Sequence, residues 1–409
     1  NKDIAIFSEE EIAVLIDQEF LVESNFDEEI KNRNKLTYNI SKYSSEKESV
    51  KIDFAITNLC NFCCPYCFER GNLNKKENCS SNLIKTSEYL YQYIDKVTLD
   101  YVKDLKIVYY GGEPTLEKNF IIKFNEKVKN LCTEKNIKFH FNIISNGYLI
   151  DEDFVKNLQF EDCDFIQITI DGEKEFHNSR RTNKCKINTF DKIIYNINKC
   201  AENKIKIVIR LNVDKQNYQS IKQFLEKITN LLEKKYFGQY IFVDIARVFG
   251  SINSFNLFEY EKYREELFDI CYKQKLVNAN LLVSNLNTFC IAESLTKDIV
   301  LDSNGNLYRC WNNVFDENFK IGTIKERLIN NCDPYDSSDI TLDFVENMSL
   351  MNVNNSKCFS CKYIKYCQGL CPRIRKNIIE NIDRNIYKNN ECKKIIKKRI
   401  QQLISKLEV

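Results

Sequence analysis

Residues 52–67 read Ile52-Asp53-Phe54-Ala55-Ile56-Thr57-Asn58-Leu59-Cys60-Asn61-Phe62-Cys63-Cys64-Pro65-Tyr66-Cys67. The first six form an apolar, β-rich run that predicts a strand. Cys60, Cys64 and Cys67 then follow at C-x3-C-x2-C spacing. Three thiolates on one short loop can ligate three irons of a 4Fe-4S cube and leave the fourth without a protein ligand. An open coordination position marks a reactive metal site rather than a structural one. The bland alternatives are a zinc loop or coincidence in a cysteine-rich chain.

Outward from that loop the sequence alternates. β-rich runs are expected at Ile52–Thr57, Leu105–Tyr110, Phe139–Ile144, Phe165–Ile170, Ile205–Val213 and Tyr240–Val248. Helical spacing fills the gaps at Leu83–Tyr101, Phe120–Cys132, Phe190–Cys200 and Ile221–Leu232. Successive βα units argue an α/β fold with a parallel sheet and helices outside. Right-handed crossovers would curl that sheet into a partial (β/α)6 barrel of the TIM type, with its chemistry at the C-terminal ends of the strands. The expected organisation is a helical extension over 1–50, the partial barrel over 51–250, a connector with a helix near Glu259–Tyr272 over 251–289, and a cysteine-clustered domain over 290–409. Ser8-Glu9-Glu10-Glu11 before Ile12 reads as a capped helix start in the extension. The basic, helical stretch Glu391–Leu407 is expected to be a solvated face.

Composition narrows the classes. The 409 residues are 43% hydrophobic and 29% charged, with a net charge of +2 and both signs interspersed. That is a globular composition without a nucleic-acid footprint. No apolar run approaches the roughly 20 residues of a membrane helix, and no signal peptide is apparent, so a cytoplasmic protein is expected. Eighteen cysteines are too dilute for a disulfide scaffold, and their C-x2-C clusters favour metal. With only His140 and His177 as histidines, iron-sulfur fits better than a mixed Cys/His zinc site.

Further motifs fall at the ends of expected strands. Tyr109-Tyr110-Gly111-Gly112-Glu113-Pro114 follows the second. Its glycines would let the backbone approach a ligand, and Glu113 offers a carboxylate to an ammonium group. Ser145-Asn146-Gly147 and Thr169-Ile170-Asp171-Gly172 bring small polar groups suited to ribose or carboxylate, or simply capped turns. In Phe176-His177-Asn178-Ser179-Arg180-Arg181 a guanidinium could grip a carboxylate in bidentate fashion. Arg210 and Asn212 interrupt an apolar run, as residues lining a polar mouth do. Downstream lie Cys290, Gly305, Cys310, then Cys358, Cys361, Cys367, Cys371 and finally Cys392. Seven thiolates suit two cubane clusters better than a zinc ribbon. The other cysteines read as small hydrophobes, with Cys271 and Cys332 as possible extra ligands.

In this combination the chain resembles the radical S-adenosylmethionine (SAM) superfamily, in its branch with a C-terminal SPASM domain. The resemblance runs from about residue 51 to 392. It implies a catalytic 4Fe-4S cluster on Cys60, Cys64 and Cys67, with SAM chelating the open iron. It places Gly111, Gly112 and Glu113 against the methionine amino group, and Ser145, Asn146, Thr169, Arg181 and Arg210 among the candidate SAM contacts. It also implies two auxiliary 4Fe-4S clusters, an outer one on Cys358, Cys361, Cys367 and Cys392 and an inner one on Cys290, Cys310 and Cys371. Relatives that fully ligate the inner cluster have an extra cysteine shortly after the first. Ile291–Thr296 contains none, so an open iron or a borrowed ligand is expected there.

Within that branch, sulfatase-maturing relatives carry aspartate after the inner-cluster cysteine and glutamine before the Gly-Gly-Glu turn. Here Trp311 and Tyr110 stand at those places. Cys67-Phe68-Glu69 and the acidic lead-in look like enzymes that modify ribosomally made peptides. The expected reaction is reductive cleavage of SAM, hydrogen abstraction from a precursor peptide, and closure of a crosslink, foremost a cysteine thioether. A carbon-carbon crosslink, formylglycine formation and a non-enzymatic electron carrier are the alternatives. The expected partners are a cysteine-containing precursor peptide with a leader and an external donor of the flavodoxin or ferredoxin type. The leader-binding winged-helix module is expected to be absent, on a partner, or upstream of Asn1.

Overall fold

A computed structural model describes residues 48–69, 71, 80–98, 102–158, 161–183, 185, 187–248, 252–277 and 298–329, with positions 394, 397–399, 401–402 and 405–406 near the C-terminus. The expected N-terminal helix, Cys290, Cys332 and every cysteine from Cys358 to Cys392 lie outside the described residues.

Each expected barrel strand is present. In chain order the elements are β1 (Ser49–Thr57), α1 (Ser80–Val97), β2 (Asp104–Gly111), α2 (Lys118–Glu134), β3 (Lys138–Ser145), α3 (Glu152–Asn157), β4 (Cys163–Ile170), α4 (Lys174–Arg180), α5 (Phe190–Glu202), β5 (Ile207–Val213), α6 (Tyr218–Lys227), β6 (Ile241–Arg247), α7 (Leu257–Lys273), β7 (Ile299–Asp302), β8 (Asn306–Tyr308), β9 (Gly322–Thr323) and α8 (Ile324–Ile329). The short α3 and α4 escape a periodicity reading because neither reaches two full turns.

Strands β1 to β6 pair in parallel and in sequence. One sheet runs β6-β5-β4-β3-β2-β1-β7-β8-β9. The sheet therefore does not stop at β6. β7 pairs in parallel with the free side of β1, and β8 and β9 follow it antiparallel.

The two sheet faces differ by residue type. Ile52, Phe54 and Ile56 of β1 and Ile207, Ile209, Leu211 and Val213 of β5 are buried in the main core. The helices cover this face with apolar stripes, such as Leu83, Leu90, Tyr93, Ile94 and Val97 of α1 and Phe190, Ile193, Ile197 and Cys200 of α5. Between those buried β5 positions, Val208, Arg210 and Asn212 are half-buried. The inner face on this side is thus polar and partly open, as a ligand cavity requires. Cys271, a possible extra ligand by sequence, is fully buried in the core on α7. Burial raises its thiol pKa, so it packs as a hydrophobe.

Among its described residues, the basic C-terminal segment is solvated only in part: Lys394 and Lys397 are exposed, but other basic residues meet a partner. Arg399 pairs with Glu261, Lys398 with Glu265 and Lys406 with Asp269, all on one side of α7. Gln402 also donates to Asp269 at 3.1 Å. Its charges meet an acidic stripe that lies far upstream in sequence.

Candidate active site

The loop after β1 is clasped from two sides. On the β2 side, Gly112 N–H donates to the Thr57 carbonyl at 2.8 Å, and Glu113 N–H donates to the Leu59 carbonyl at 2.8 Å. A Cβ on Gly111, whose φ is +113°, would lie 2.5 Å from the Thr57 oxygen; one on Gly112 would lie 2.2 Å from the Leu59 oxygen. The two glycines are therefore required by the cysteine loop itself. The sequence reading assigned that close approach to a ligand. On the α4 side, Cys63 N–H donates to the Thr182 carbonyl at 2.9 Å, and Phe62 bridges Asn183. Asn146, at the end of β3, donates through Nδ2 to Asn61 at 2.8 Å.

Tyr66, between two of the cysteines, ties the loop to a charged network. Its hydroxyl donates to Asp171 at 2.8 Å and accepts from Arg181 Nη1 at 2.7 Å. The Arg180 guanidinium lies 4.6 Å from the centre of the Tyr66 ring. It makes paired hydrogen bonds of 3.0 and 2.8 Å to Asp214. The expected bidentate grip is thus met inside the protein, by Arg180 on Asp214, which leaves Arg181 beside the loop. Burial raises the Asp171 pKa, and Arg181 and Arg180 counter it. Arg181 loses hydration on burial, yet Cys64, Tyr66 and Asp171 hold its pKa well above the usual value. The buried His177 is neutral because burial drives its pKa well down; its Nδ1 accepts from Asp171 N–H at 3.4 Å.

Glu113 is largely occupied by its own surroundings. Oε1 accepts from Thr115 N–H at 3.0 Å, from the Thr115 hydroxyl and from the Ser145 hydroxyl at 2.7 Å. Oε2 accepts from Asn146 N–H at 2.7 Å. Glu113 thus caps the 3-10 turn Pro114–Glu117 and joins the ends of β2 and β3. Oε1 thus carries three donors and Oε2 one among the described residues, which leaves Oε2 the oxygen better able to take a further donor. Ser145 and Asn146, read as ligand contacts, serve first to fix Glu113.

Thr169 and Arg210 are register partners on β4 and β5. Arg210 pairs with Asp244 on β6 and donates to Asn212 at 3.3 Å. Cys60, Cys64, Cys67, Gly111, Gly112, Glu113, Ser145, Asn146, Thr169 and Arg181 are gathered at the C-terminal ends of β1 to β4, with Arg210 beside them. Of the seven downstream cysteines Cys310 alone is described; it is half-buried after β8.

Three thiolates on one short loop are the donor set that a 4Fe-4S cube takes. Among the described residues, no three His, Cys, Asp or Glu side chains converge as they would on one metal ion. A cube instead takes each thiolate on a different iron. The sulfurs do feel one another: burial, then Glu113, Cys64 and Cys67 push the Cys60 thiol up to about 12. Burial, then Glu69 push Cys67 up to about 11. A bound cluster would displace those protons, because a coordinating thiol is deprotonated.

Sequence reasoning gives Tyr66 and Asp214 no role, and takes Asp171 and Glu69 only as members of longer motifs. Tyr66 sat in a spacer position of the motif, and Asp171 was read as part of a turn. Glu69 is buried, one carboxylate oxygen has no partner among the described residues, and burial pushes its pKa up to about 8.

Residues 54–228 match the radical SAM superfamily. This part of the chain is a radical SAM domain. Over 350 residues it is 28% identical to a cysteine-type anaerobic sulfatase-maturating enzyme of Clostridium novyi, covering 80% of this chain and 89% of that protein. The radical SAM fold also recurs in solved structures. The enzyme anSMEcpe with bound AdoMet and the Cp18Cys peptide superposes with a TM-score of 0.58 at 20% identity, over 79% of this chain and 89% of that one. Streptococcus suis SuiB bound to precursor peptide SuiA superposes with a TM-score of 0.54 at 18% identity, over 89% and 83%. A radical SAM domain implies a 4Fe-4S cluster and SAM. No helix among the described residues is long and apolar enough to cross a membrane.

Proposed function

We propose that this chain is a radical SAM peptide maturase that crosslinks a cysteine-containing precursor through a thioether. Cys60, Cys64 and Cys67 would hold the cluster, and Gly111, Gly112 and Glu113 would meet the SAM methionine group. The observation that carries the assignment is the clasp: the turn that would receive SAM is hydrogen-bonded to the loop that would hold the cluster. Bound together, the two cofactors supply one-electron cleavage of SAM and hydrogen-atom abstraction from the substrate.

The protein's own residues position and shield that chemistry. Ser145 and Asn146 hold Glu113 so that Oε2, the less occupied oxygen, suits an ammonium group. Arg181, fixed by Tyr66, puts a buried positive charge beside Cys64 and offers a partner to a carboxylate. Thr169 and Arg210 extend the polar lining toward β5. Cys290, Cys310 and Cys371 would hold an inner auxiliary cluster, and Cys358, Cys361, Cys367 and Cys392 an outer one. The precursor would bring a leader, and a flavodoxin- or ferredoxin-like protein the electrons.

Trp311 and Tyr110 favour crosslinking: neither supplies the carboxylate or amide that formylglycine-forming relatives place there. Formylglycine formation remains a second reading, supported by the identity to the Clostridium novyi enzyme over most of both chains. Mass spectrometry after co-expression with a short cysteine-rich peptide encoded beside the gene separates them. A thioether removes two hydrogens and keeps every sulfur; formylglycine on a Cys-x-Pro-x-Arg peptide loses the sulfur. Neither change on either peptide would contradict peptide maturation.

A further inference from the structure

The cysteine loop rests against a buried quartet of charges, two of which the cluster and SAM assignments leave without a task. Arg180 closes α4 and Arg181 caps it, while Asp171 follows β4 and Asp214 follows β5. None of the four is more than 7% exposed. Charges at that depth need partners. Arg181 reaches Asp171 through the Tyr66 hydroxyl, which accepts from Arg181 Nη1 and donates to Asp171 Oδ1. Arg180 spans both carboxylates. Its fork holds Asp214, and its Nε lies 3.5 Å from Asp171 Oδ2.

The backbone fixes the outer aspartate in place. Asp214 Oδ1 accepts from Gln216 N–H at 3.0 Å and from Asn217 N–H at 3.1 Å. Asn217 accepts from Asp214 N–H at 2.8 Å and donates to the Asp171 carbonyl at 3.4 Å. The ends of β4 and β5 are thereby tied together behind the loop. Two carboxylates and two guanidinium groups cancel, and one of the four stands beside a loop cysteine. Burial raises the Cys64 thiol pKa; Arg181 opposes that rise and Asp171 reinforces it. The sulfur thus feels both signs. Solvent screens buried charges little, and the reduction potential of an iron-sulfur cluster follows the net charge around it. Arg181 without its aspartates would favour the reduced, more negative cluster and so raise the potential.

We propose that Asp171 and Asp214 set the reduction potential of the cluster on Cys60, Cys64 and Cys67. They neutralise Arg180 and Arg181, so that Arg181 can stand beside Cys64 without making the reduced cluster a weaker electron donor. Asp214 acts through Arg180 and is a positioning residue. The proposal rests on the assignment of the loop as the cluster site.

The test is an electron-paramagnetic-resonance redox titration of the full chain, reconstituted with iron and sulfide, without SAM. The signal followed is the one that disappears when Cys60, Cys64 and Cys67 are all replaced by alanine. D171N and D214N each remove one negative charge, and asparagine keeps an oxygen for Tyr66 or Arg180. Both midpoints should rise. A buried unit charge within roughly 10 Å is worth about a tenfold change in the reduction equilibrium, or about 59 mV for one electron. That is the shift expected for D171N, with a smaller one for D214N. The double variant R180Q/D214N removes one charge of each sign, and its midpoint should return to that of the wild type. Breaking a buried pair also destabilises, so iron content and melting temperature are read for each variant. If D214N does not hold its iron, the double variant decides: iron retained at the wild-type midpoint supports the proposal, and iron lost again marks a scaffold role and overturns it. Unchanged midpoints in D171N and D214N at full iron content, or a double variant displaced further than D214N, would overturn the role of the aspartates alone. A wild-type chain with no signal that depends on the loop cysteines would overturn the cluster assignment and the proposal with it.

Discussion

His140 stands at the N-terminal end of β3, with Asp104 and Asp164 on either side. Its Nδ1 lies 2.6 Å from Asp164 and its Nε2 2.8 Å from Asp104. Only the protonated ring can donate to both. The hydrogen bond to Asp164 is the largest cause of a raised pKa, against partial desolvation. A histidine whose folded pKa is raised stabilises the protein fully below its unfolded value of about 6.5, and that stability is lost as pH rises through the folded value. Asp164 behaves oppositely. Burial opposes its charge, but bonds to His140 and Lys106 bring its pKa to about 2, so its contribution is lost only as pH falls from about 4 toward about 2. The urea midpoint of wild-type protein should therefore fall as pH rises above about 6.5, while that of H140N stays flatter. Parallel profiles would assign no linkage to this histidine. Other residues show why sequence gave the chemistry more readily than its cause. Gly111 and Gly112 were legible as a close approach, yet what approaches is the backbone of the cysteine loop, a partner some fifty positions upstream that no local pattern announces. Glu113 was legible as a functional carboxylate, but Thr115, Ser145 and Asn146 had to be folded around it before its hydrogen bonds could be counted.

At the level of elements, periodicity found the strands and long helices because buried faces impose it. It missed α3 and α4, and of the C-terminal segment it read only the exposed side. A basic helix alone looks solvated; here its partner is the acidic side of α7. Glu261 is central to that contact. It is 4% exposed and binds Arg399 Nε at 3.0 Å and Arg264 Nε at 3.1 Å. Burial opposes its charge, and Arg399 and Arg264 more than offset this, which lowers its pKa. Replacing it by glutamine leaves two partly buried guanidinium groups short of a counter-charge. E261Q should lose roughly 1–3 kcal/mol, less than a fully buried pair because Arg399 keeps some solvent. It should also speed proteolytic release of the C-terminal segment, read by mass spectrometry. Unchanged denaturation and cleavage would mean that apolar packing alone holds this helix.

Across the whole molecule, the parallel order β1 to β6 brings motifs far apart in sequence to one rim. The cysteine loop follows β1, the Gly-Gly-Glu turn follows β2, Ser145 and Asn146 follow β3, and Asp171 follows β4. β7, paired to the other side of β1, leads into Cys310 and Trp311, so the downstream cysteine region begins beside the same rim. That continuity was not legible, because a four-residue strand buried at every position shows neither period. The most direct measurement is the formation of 5′-deoxyadenosine from SAM by the chemically reduced, iron-reconstituted protein. Wild-type chain should produce it together with methionine, and a variant with Cys60, Cys64 and Cys67 all replaced by alanine should produce none. SAM cleavage retained in that variant, or absent from wild-type protein that carries its full complement of iron, would contradict the assignment of this loop as the catalytic cluster site.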